Sequence, residues 1–174
     1  MSEIQILNFI QEHIRCGFLD AAMPVITHLG SKGILWIVTG LILAFFPKTR
    51  RAGLTLLAAV AINGIVCNLA LKPIVARTRP FAISTDIKLL IKAPGDYSFP
   101  SGHTSAAFSA AFALLAANNR LWIPYIVLAV LIAFSRMYLY VHFPTDILGG
   151  IAVGALSAVL SAVIMKQLYQ RNRL

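Results

Sequence analysis

Acidic side chains are scarce in this sequence: six Asp and Glu stand against fifteen Lys and Arg among 174 residues. Charged residues make up 12% of the chain and hydrophobic ones 59%. That excludes an ordinary soluble helical protein, whose helices need a charged face toward water. Cysteine is limited to Cys16 and Cys67, which are expected to be ordinary buried thiols rather than a disulfide framework. There is no internal repeat and no low-complexity tract. The opening MSEIQ carries an acid and leads into no apolar run long enough for a signal peptide or a span. What fills the chain instead is hydrocarbon, with a mean hydropathy of +0.80. The sequence reads as one integral membrane domain over residues 1–174.

A membrane span needs roughly 20 apolar residues to cross a core of about 30 Å. Residues 53–71 and 147–165 meet this without any charge. Residues 24–46 qualify with Lys32 near one end, where a lysine can snorkel. Residues 104–117 are short for a span, and 121–143 are long enough but hold Arg136 and His142 toward their end. The expected fold is an all-α polytopic transmembrane helix bundle of about five spans. Before it, Ile4, Leu7, Ile10, Ile14 and Phe18 recur at helical spacing, which suits an N-terminal helix lying along the interface or packed against the bundle. Gly150 and Gly154 form a small-residue face suited to packing inside the bundle or between subunits, so a homo-oligomer is left open.

Alternating five spans places Lys48, Arg50, Arg51, Arg120, Lys166, Arg171 and Arg173 on one side with no acid among them. By the positive-inside rule that side is cytoplasmic. The net charge of +9 is then mostly topology, and no nucleic-acid partner is implied. All six acids, Glu3, Glu12, Asp20, Asp86, Asp96 and Asp146, fall on the other side. Lys72, Arg77, Arg79 and Arg136 are also there, and topology does not account for them. Charges at membrane depth are costly and need partners. Lys72, Arg79, Arg136, His103, His142 and Asp146 all map to span ends on this single outer face.

Residues 98–106, SFPSGHTSA, sit where a polar loop meets an apolar run. A helix starting near Ser101 would present unpaired N–H groups to an anion, and Gly102 would let that anion approach the backbone. Ser101 suits an N-cap, or its hydroxyl could donate to the same anion. Two arginines and a lysine offer planar forks and a point charge of the kind phosphate oxygens accept. Two histidines and an aspartate are also the ligand set of some iron enzymes. Three surrounding cations would repel a metal ion and attract phosphate, so neither metal nor cofactor is expected. His13 and His28 read as ordinary interfacial histidines.

These residues carry a family resemblance. KPIVARTRP (Lys72 to Arg79-Pro80), PSGH (Pro100 to His103) and SRMYLYVHFPTD (Arg136 to His142 and Asp146) resemble, in order and spacing, the three-part signature of the type 2 phosphatidic acid phosphatase family, PAP2. The resemblance implies that His142 attacks phosphorus to form a phosphohistidine, that Asp146 orients it, and that His103 protonates the leaving oxygen. It further implies that Lys72, Arg79, Ser101, Gly102 and Arg136 hold the phosphate, and that no metal takes part. Chemistry supports the dyad independently, since a neutral imidazole is a competent nucleophile and a carboxylate on its other nitrogen fixes the tautomer.

The resemblance points to a lipid phosphatase of the cytoplasmic membrane with its site facing outward and its substrate's tail among membrane lipids. Family members act on undecaprenyl diphosphate, phosphatidylglycerol phosphate and phosphatidic acid. A compact chain with an outward site resembles most the undecaprenyl diphosphate recycling enzymes. Two other classes stand beside this expectation. The soluble vanadium haloperoxidases share such a pocket but have no membrane spans. A non-catalytic lipid binder would need the cations but neither His142 nor His103.

Overall fold

In the computed structural model, which describes residues 2–84 and 86–171, all regular structure is helical. Arg173, counted with the basic inner segments, lies outside the described residues. Ser2 starts α1 (Glu3–Phe9) with a capping box, its hydroxyl accepting from the Gln5 N–H while Gln5 Oε1 accepts from the Ser2 N–H. A π-helical segment, Ile10–Ile14, continues it. Leu7 and Ile10 are buried against Tyr138, Tyr140, Val141 and Phe143. Of the two placements open to this segment, packing on protein is thus realised for Leu7 and Ile10, while Phe9 remains exposed, as does Phe18, which the spacing grouped with them but which belongs to the next helix.

The first apolar run is longer than expected and is broken. It forms α2 (Gly17–Leu29) and α3 (Ile34–Phe45), separated by a 3-10 turn at Ser31–Gly33. Lys32 (φ 54°) and Gly33 (φ 69°) are both left-handed there, a conformation that glycine tolerates and lysine adopts at a cost. The second run is α4 (Arg50–Asn63). It continues through a π-helical segment, Gly64–Leu71, and a last turn, α5 (Lys72–Val75), so Lys72 stands on a helix rather than after one. A short α6 (Pro80–Ile83) begins at a proline whose fixed φ suits a first turn.

Three further helices complete the chain: α7 (Gly102–Ala116), α8 (Trp122–Tyr138) and α9 (Pro144–Arg171). Three apolar stretches are long enough to cross a membrane, Gly17–Phe45, Arg50–Ile83 and Pro144–Arg171, while α7 and α8 are shorter. At 1.5 Å per residue α7 is about 22 Å long, but it is the central helix, walled by α4, α8 and α9. Ala107, Ala110, Ala111 and Ala113, which lie around its circumference, are all buried, as expected of a helix without a polar face. Val38, Leu41 and Phe45 on α3 and Leu156 and Val159 on α9 form part of the exposed apolar exterior.

The small-residue face of α9 is used within the chain. A Cβ on Gly150 would lie 2.9 Å from the Ser101 carbonyl oxygen, and one on Gly154 would lie 2.7 Å from that of Ser105. These glycines therefore let α9 touch the α7 backbone and fix the first turn of α7 beside the first turn of α9. The Ser101 N–H donates to the Asp146 carbonyl at 3.0 Å in the same place. At the opposite end of the bundle the Arg51 guanidinium lies over the Tyr169 ring, 5.9 Å from its centroid.

Candidate active site

Four helix ends converge at one end of the bundle: the last turn of the α4–α5 helix, the first turns of α7 and α9, and the last turn of α8. Between them lies a cavity of about 960 Å³ whose wall includes Lys72, Arg79, Gly102, His103, Arg136 and His142. Six of the eight site residues expected from sequence therefore face one space. The other two, Ser101 and Asp146, are fully buried behind that wall.

Ser101 is the N-cap of α7. Its Oγ accepts from the Thr104 N–H at 3.4 Å and is 2.9 Å from the Thr104 hydroxyl. Of its two expected roles, capping is the one this geometry provides. Gly102 follows as the first helical residue. A Cβ there would stand 3.1 Å from Asn68 Oδ1 and 3.7 Å from Lys72 Cε, so glycine keeps the helix N-terminus open to the cavity beside the lysine.

His142 lies in the corner between α8 and α9, outside the helices, and is 1% exposed. Its Nδ1 is 3.4 Å from Asp146 Oδ2 and its Nε2 is 3.1 Å from Arg79 Nη1. A guanidinium has no acceptor, so Nε2 must be the unprotonated nitrogen and the proton belongs on Nδ1, toward Asp146. The ring is therefore neutral, with its lone pair toward the cavity wall.

Asp146 is held from four directions. Oδ2 accepts from the Phe143 N–H at 2.9 Å and from the Ser98 hydroxyl at 2.5 Å, besides facing His142; Oδ1 accepts from Arg77 Nη1 at 2.7 Å. The Phe143 contact is a helix cap, so Asp146 both caps α9 and faces the histidine. Arg77 also donates to Glu3 of α1 at 2.5 Å and stacks over the Phe143 ring, 4.1 Å from its centroid. The N-terminal helix thereby braces the corner that carries His142.

Arg79 is 5% exposed and fixed by the Val141 carbonyl at 2.7 Å and the Asp96 carbonyl at 2.7 Å. Its Nη2 donates to Asp96 Oδ1 at 2.7 Å, and Lys72 Nζ donates to Asp96 Oδ2 and to the Tyr97 carbonyl. Burial alone would raise the Asp96 pKa, but Lys72 and then Arg79 hold it down at about 2. Arg136 is 3% exposed; its Nη1 donates to Thr27 Oγ1 at 2.7 Å while its buried Nε has no partner. Such an orphaned donor beside the cavity suits an anion that the protein itself does not supply.

His103, on the first turn of α7, has its Nε2 3.5 Å from Ser31 Oγ on the turn between α2 and α3. Away from the cations, the wall turns apolar, with Ile37 on α3 and Leu57, Val60 and Ala61 on α4. The cavity thus has a charged head and an apolar flank. His28, read from sequence as an ordinary interfacial histidine, also lines its margin, whereas His13 stacks on Phe9 at 4.5 Å, away from the site. The two cysteines are free as expected, but Cys16 is exposed rather than buried.

Asp96, Ser98 and Arg77 are site residues that motif spacing did not select. Their signal was the partner rule: unexplained cations on the outer face require acids, and Asp96 and Asp146 are among the few available there.

The comparisons with known proteins agree with this architecture. The model of the PAP2 superfamily matches residues 52–170. The undecaprenyl-diphosphatase of Sulfolobus acidocaldarius is 35% identical over 147 residues, covering 84% of this chain and 70% of that protein. The undecaprenyl-diphosphatase BcrC of Bacillus subtilis is 30% identical over 146 residues, covering 82% and 72%. Among solved structures, the transmembrane PAP2 type phosphatidylglycerolphosphate phosphatase of Bacillus subtilis superposes with a TM-score of 0.76 at 30% identity, covering 95% of this chain and 86% of that one. With the family match spanning every signature residue that lines the cavity, this chain belongs to the PAP2 superfamily.

Proposed function

We propose that this protein is a membrane lipid phosphatase that hydrolyses a lipid phosphate or diphosphate, with a polyprenyl diphosphate of the undecaprenyl type as its preferred substrate. The observation that carries the reading is the convergence of two histidines and three cations on one cavity with an apolar flank. The similarity to two undecaprenyl-diphosphatases supports the substrate. A phosphatidylglycerol phosphate substrate is the second reading, supported by the solved Bacillus subtilis structure.

The terminal phosphoryl group binds among Lys72, Arg79, Arg136 and the α7 N-terminus at Gly102, which neutralise its oxygens and the charge that develops in transfer. To admit it, Arg79 exchanges its contact with His142 Nε2 for a phosphate oxygen. The freed Nε2 lone pair attacks phosphorus; an N–P bond forms and the bond to the leaving oxygen breaks. Asp146 takes the hydrogen bond from Nδ1–H and stabilises the positive charge on the ring. His103 gives its proton to the leaving oxygen when that oxygen needs one. Water then cleaves the N–P bond, returning a proton to His103 where that residue has spent one, releasing phosphate and restoring neutral His142. Ser101 contributes by holding the α7 terminus in place, and Ser98 and Arg77 by holding Asp146. No step in this scheme calls for a metal or cofactor.

Phosphate release by purified protein from undecaprenyl diphosphate, phosphatidylglycerol phosphate and phosphatidic acid tests the reading. The diphosphate should be turned over fastest, EDTA in excess should leave the rate unchanged, and vanadate should inhibit. Loss of activity on chelation with recovery on added Mg²⁺ would move the protein to a different mechanism.

A further inference from the structure

The cavity has a second polar bank that the phosphoryl-transfer chemistry leaves unused. The turn Ser31–Gly33 forms part of its wall, and Ser31 reaches the His103 ring at 3.5 Å. Gly30 lets the turn come this close, since a Cβ there would be 3.3 Å from His103 Cδ2. The next residue, Lys32, is exposed, also lines the cavity, and carries no hydrogen bond or ion pair among the described residues. It is held at φ 54°, a left-handed conformation that costs a non-glycine residue free energy and that persists where surrounding structure demands it.

The position of this bank follows from the direction of the reaction. His142 attacks from one side of phosphorus, so the leaving oxygen departs on the other, and His103, the assigned acid, lines the same cavity. Beyond His103 lies the Ser31–Lys32 turn. A monophosphate ester leaves as an alcohol, and the proton from His103 suffices. A diphosphate leaves as a lipid monophosphate, an anion whose developing charge calls for a cation rather than a proton. Lys72, Arg79 and Arg136 are committed to the transferring phosphoryl group. Two lysines remain in the wall: Lys32 beside Ser31, and Lys92 on the loop before α7.

Resting on the phosphatase reading above, we infer that Lys32 and Ser31 form a subsite for the lipid-proximal phosphate of a diphosphate substrate and so set the preference for diphosphates over monophosphates. Lys32 supplies the charge and Ser31 a hydroxyl donor to the same phosphate. When the P–O–P bridge breaks, the bridging oxygen remains on the lipid phosphate, and Lys32 balances its charge.

The test uses farnesyl diphosphate and farnesyl monophosphate, which share one tail, with the full-length protein in detergent. In Lys32→Gln the ratio of kcat/KM for diphosphate over monophosphate should fall about tenfold, the size expected for losing one charge-assisted contact. Lys32→Gly, which suits the left-handed turn, should lower the ratio equally while folding at least as stably. Lys32→Arg should restore it. An unchanged ratio, equal losses on both substrates, or a fall with Lys92→Gln but not with Lys32→Gln would overturn the assignment. His142→Ala read alongside separates the two proposals: survival of activity on both substrates in that variant defeats the phosphohistidine mechanism, whatever the Lys32 ratio shows.

Discussion

The Asp96 carboxylate lies against the Arg79 guanidinium, with Oδ1 accepting from Nη2 at 2.7 Å, while its other oxygen takes the ammonium of Lys72. An acid from the polar loop thus occupies two of the cations proposed above to bind the phosphate.

That contact makes the first prediction. If phosphate displaces Asp96, then Asp96→Asn removes a competitor and should tighten inhibition by vanadate and lower KM, each by roughly three- to tenfold, the scale of one partly exposed charge. Inhibition constants and KM for wild type and variant at fixed ionic strength measure this. A higher KM in the variant would show instead that Asp96 supports the two cations in their binding positions.

His103 should matter in proportion to how badly the leaving oxygen needs a proton. His103→Ala is expected to reduce turnover of an alkyl phosphate by roughly 10²- to 10⁴-fold, and that of an aryl phosphate with an acidic phenol far less. A series of leaving groups of graded pKa gives the slope. Equal damage across the series would remove the general-acid role.

For Asp146 the geometry separates orientation from anchoring. Asp146→Asn keeps an oxygen for the Phe143 N–H but loses the charge that faces His142 Nδ1–H and Arg77. In serine proteases the corresponding change costs about 10⁴-fold in kcat. Here a loss of roughly 10² to 10⁴ is expected, equivalent to about 3 to 5 kcal/mol. Vanadate should still bind within about tenfold, because the cations and the α7 terminus are untouched. Thermal unfolding in detergent should also fall, since buried Asp146 anchors Ser98 and Arg77. A variant that is active but less stable would make Asp146 a cap only.

Orientation is tested by thiol labelling in cells. In a background lacking Cys16 and Cys67, Lys88→Cys and Arg120→Cys place single exposed thiols at the two ends of the bundle. An impermeant reagent should label the Lys88 position in intact cells and the Arg120 position only after permeabilisation. The reverse pattern would put the site on the cytoplasmic side.

The five apolar helices were legible because a membrane helix must be apolar over its whole length, and residues 53–71 and 147–165 have no charge to obscure it. The six cavity-lining signature residues were legible because Lys72, His103, Arg136 and their companions fall at helix ends that alternate to one face. The break at Lys32 was not. The polar, glycine-flanked stretch Gly30-Ser31-Lys32-Gly33 is a local turn signal, but inside an apolar run from 24 to 46 it reads as the end of one span with a snorkelling lysine. Asp96 and Ser98 were hidden for another reason: they sit in an aperiodic loop, and their places are set by the cations they meet after folding. Arg77 stood between two motif positions and was overshadowed by them, although its need for an acid on the outer face was visible.

The apolar flank of the cavity, Ile37 with Leu57, Val60 and Ala61, bears on how turnover scales. A substrate whose tail lies along that flank is drawn from a two-dimensional pool, so the quantity that saturates this enzyme is the mole fraction of substrate in the bilayer or micelle, not its molarity. Adding inert detergent at constant total substrate will slow the reaction by surface dilution alone, and rates measured in different detergents become comparable only when expressed per amphiphile.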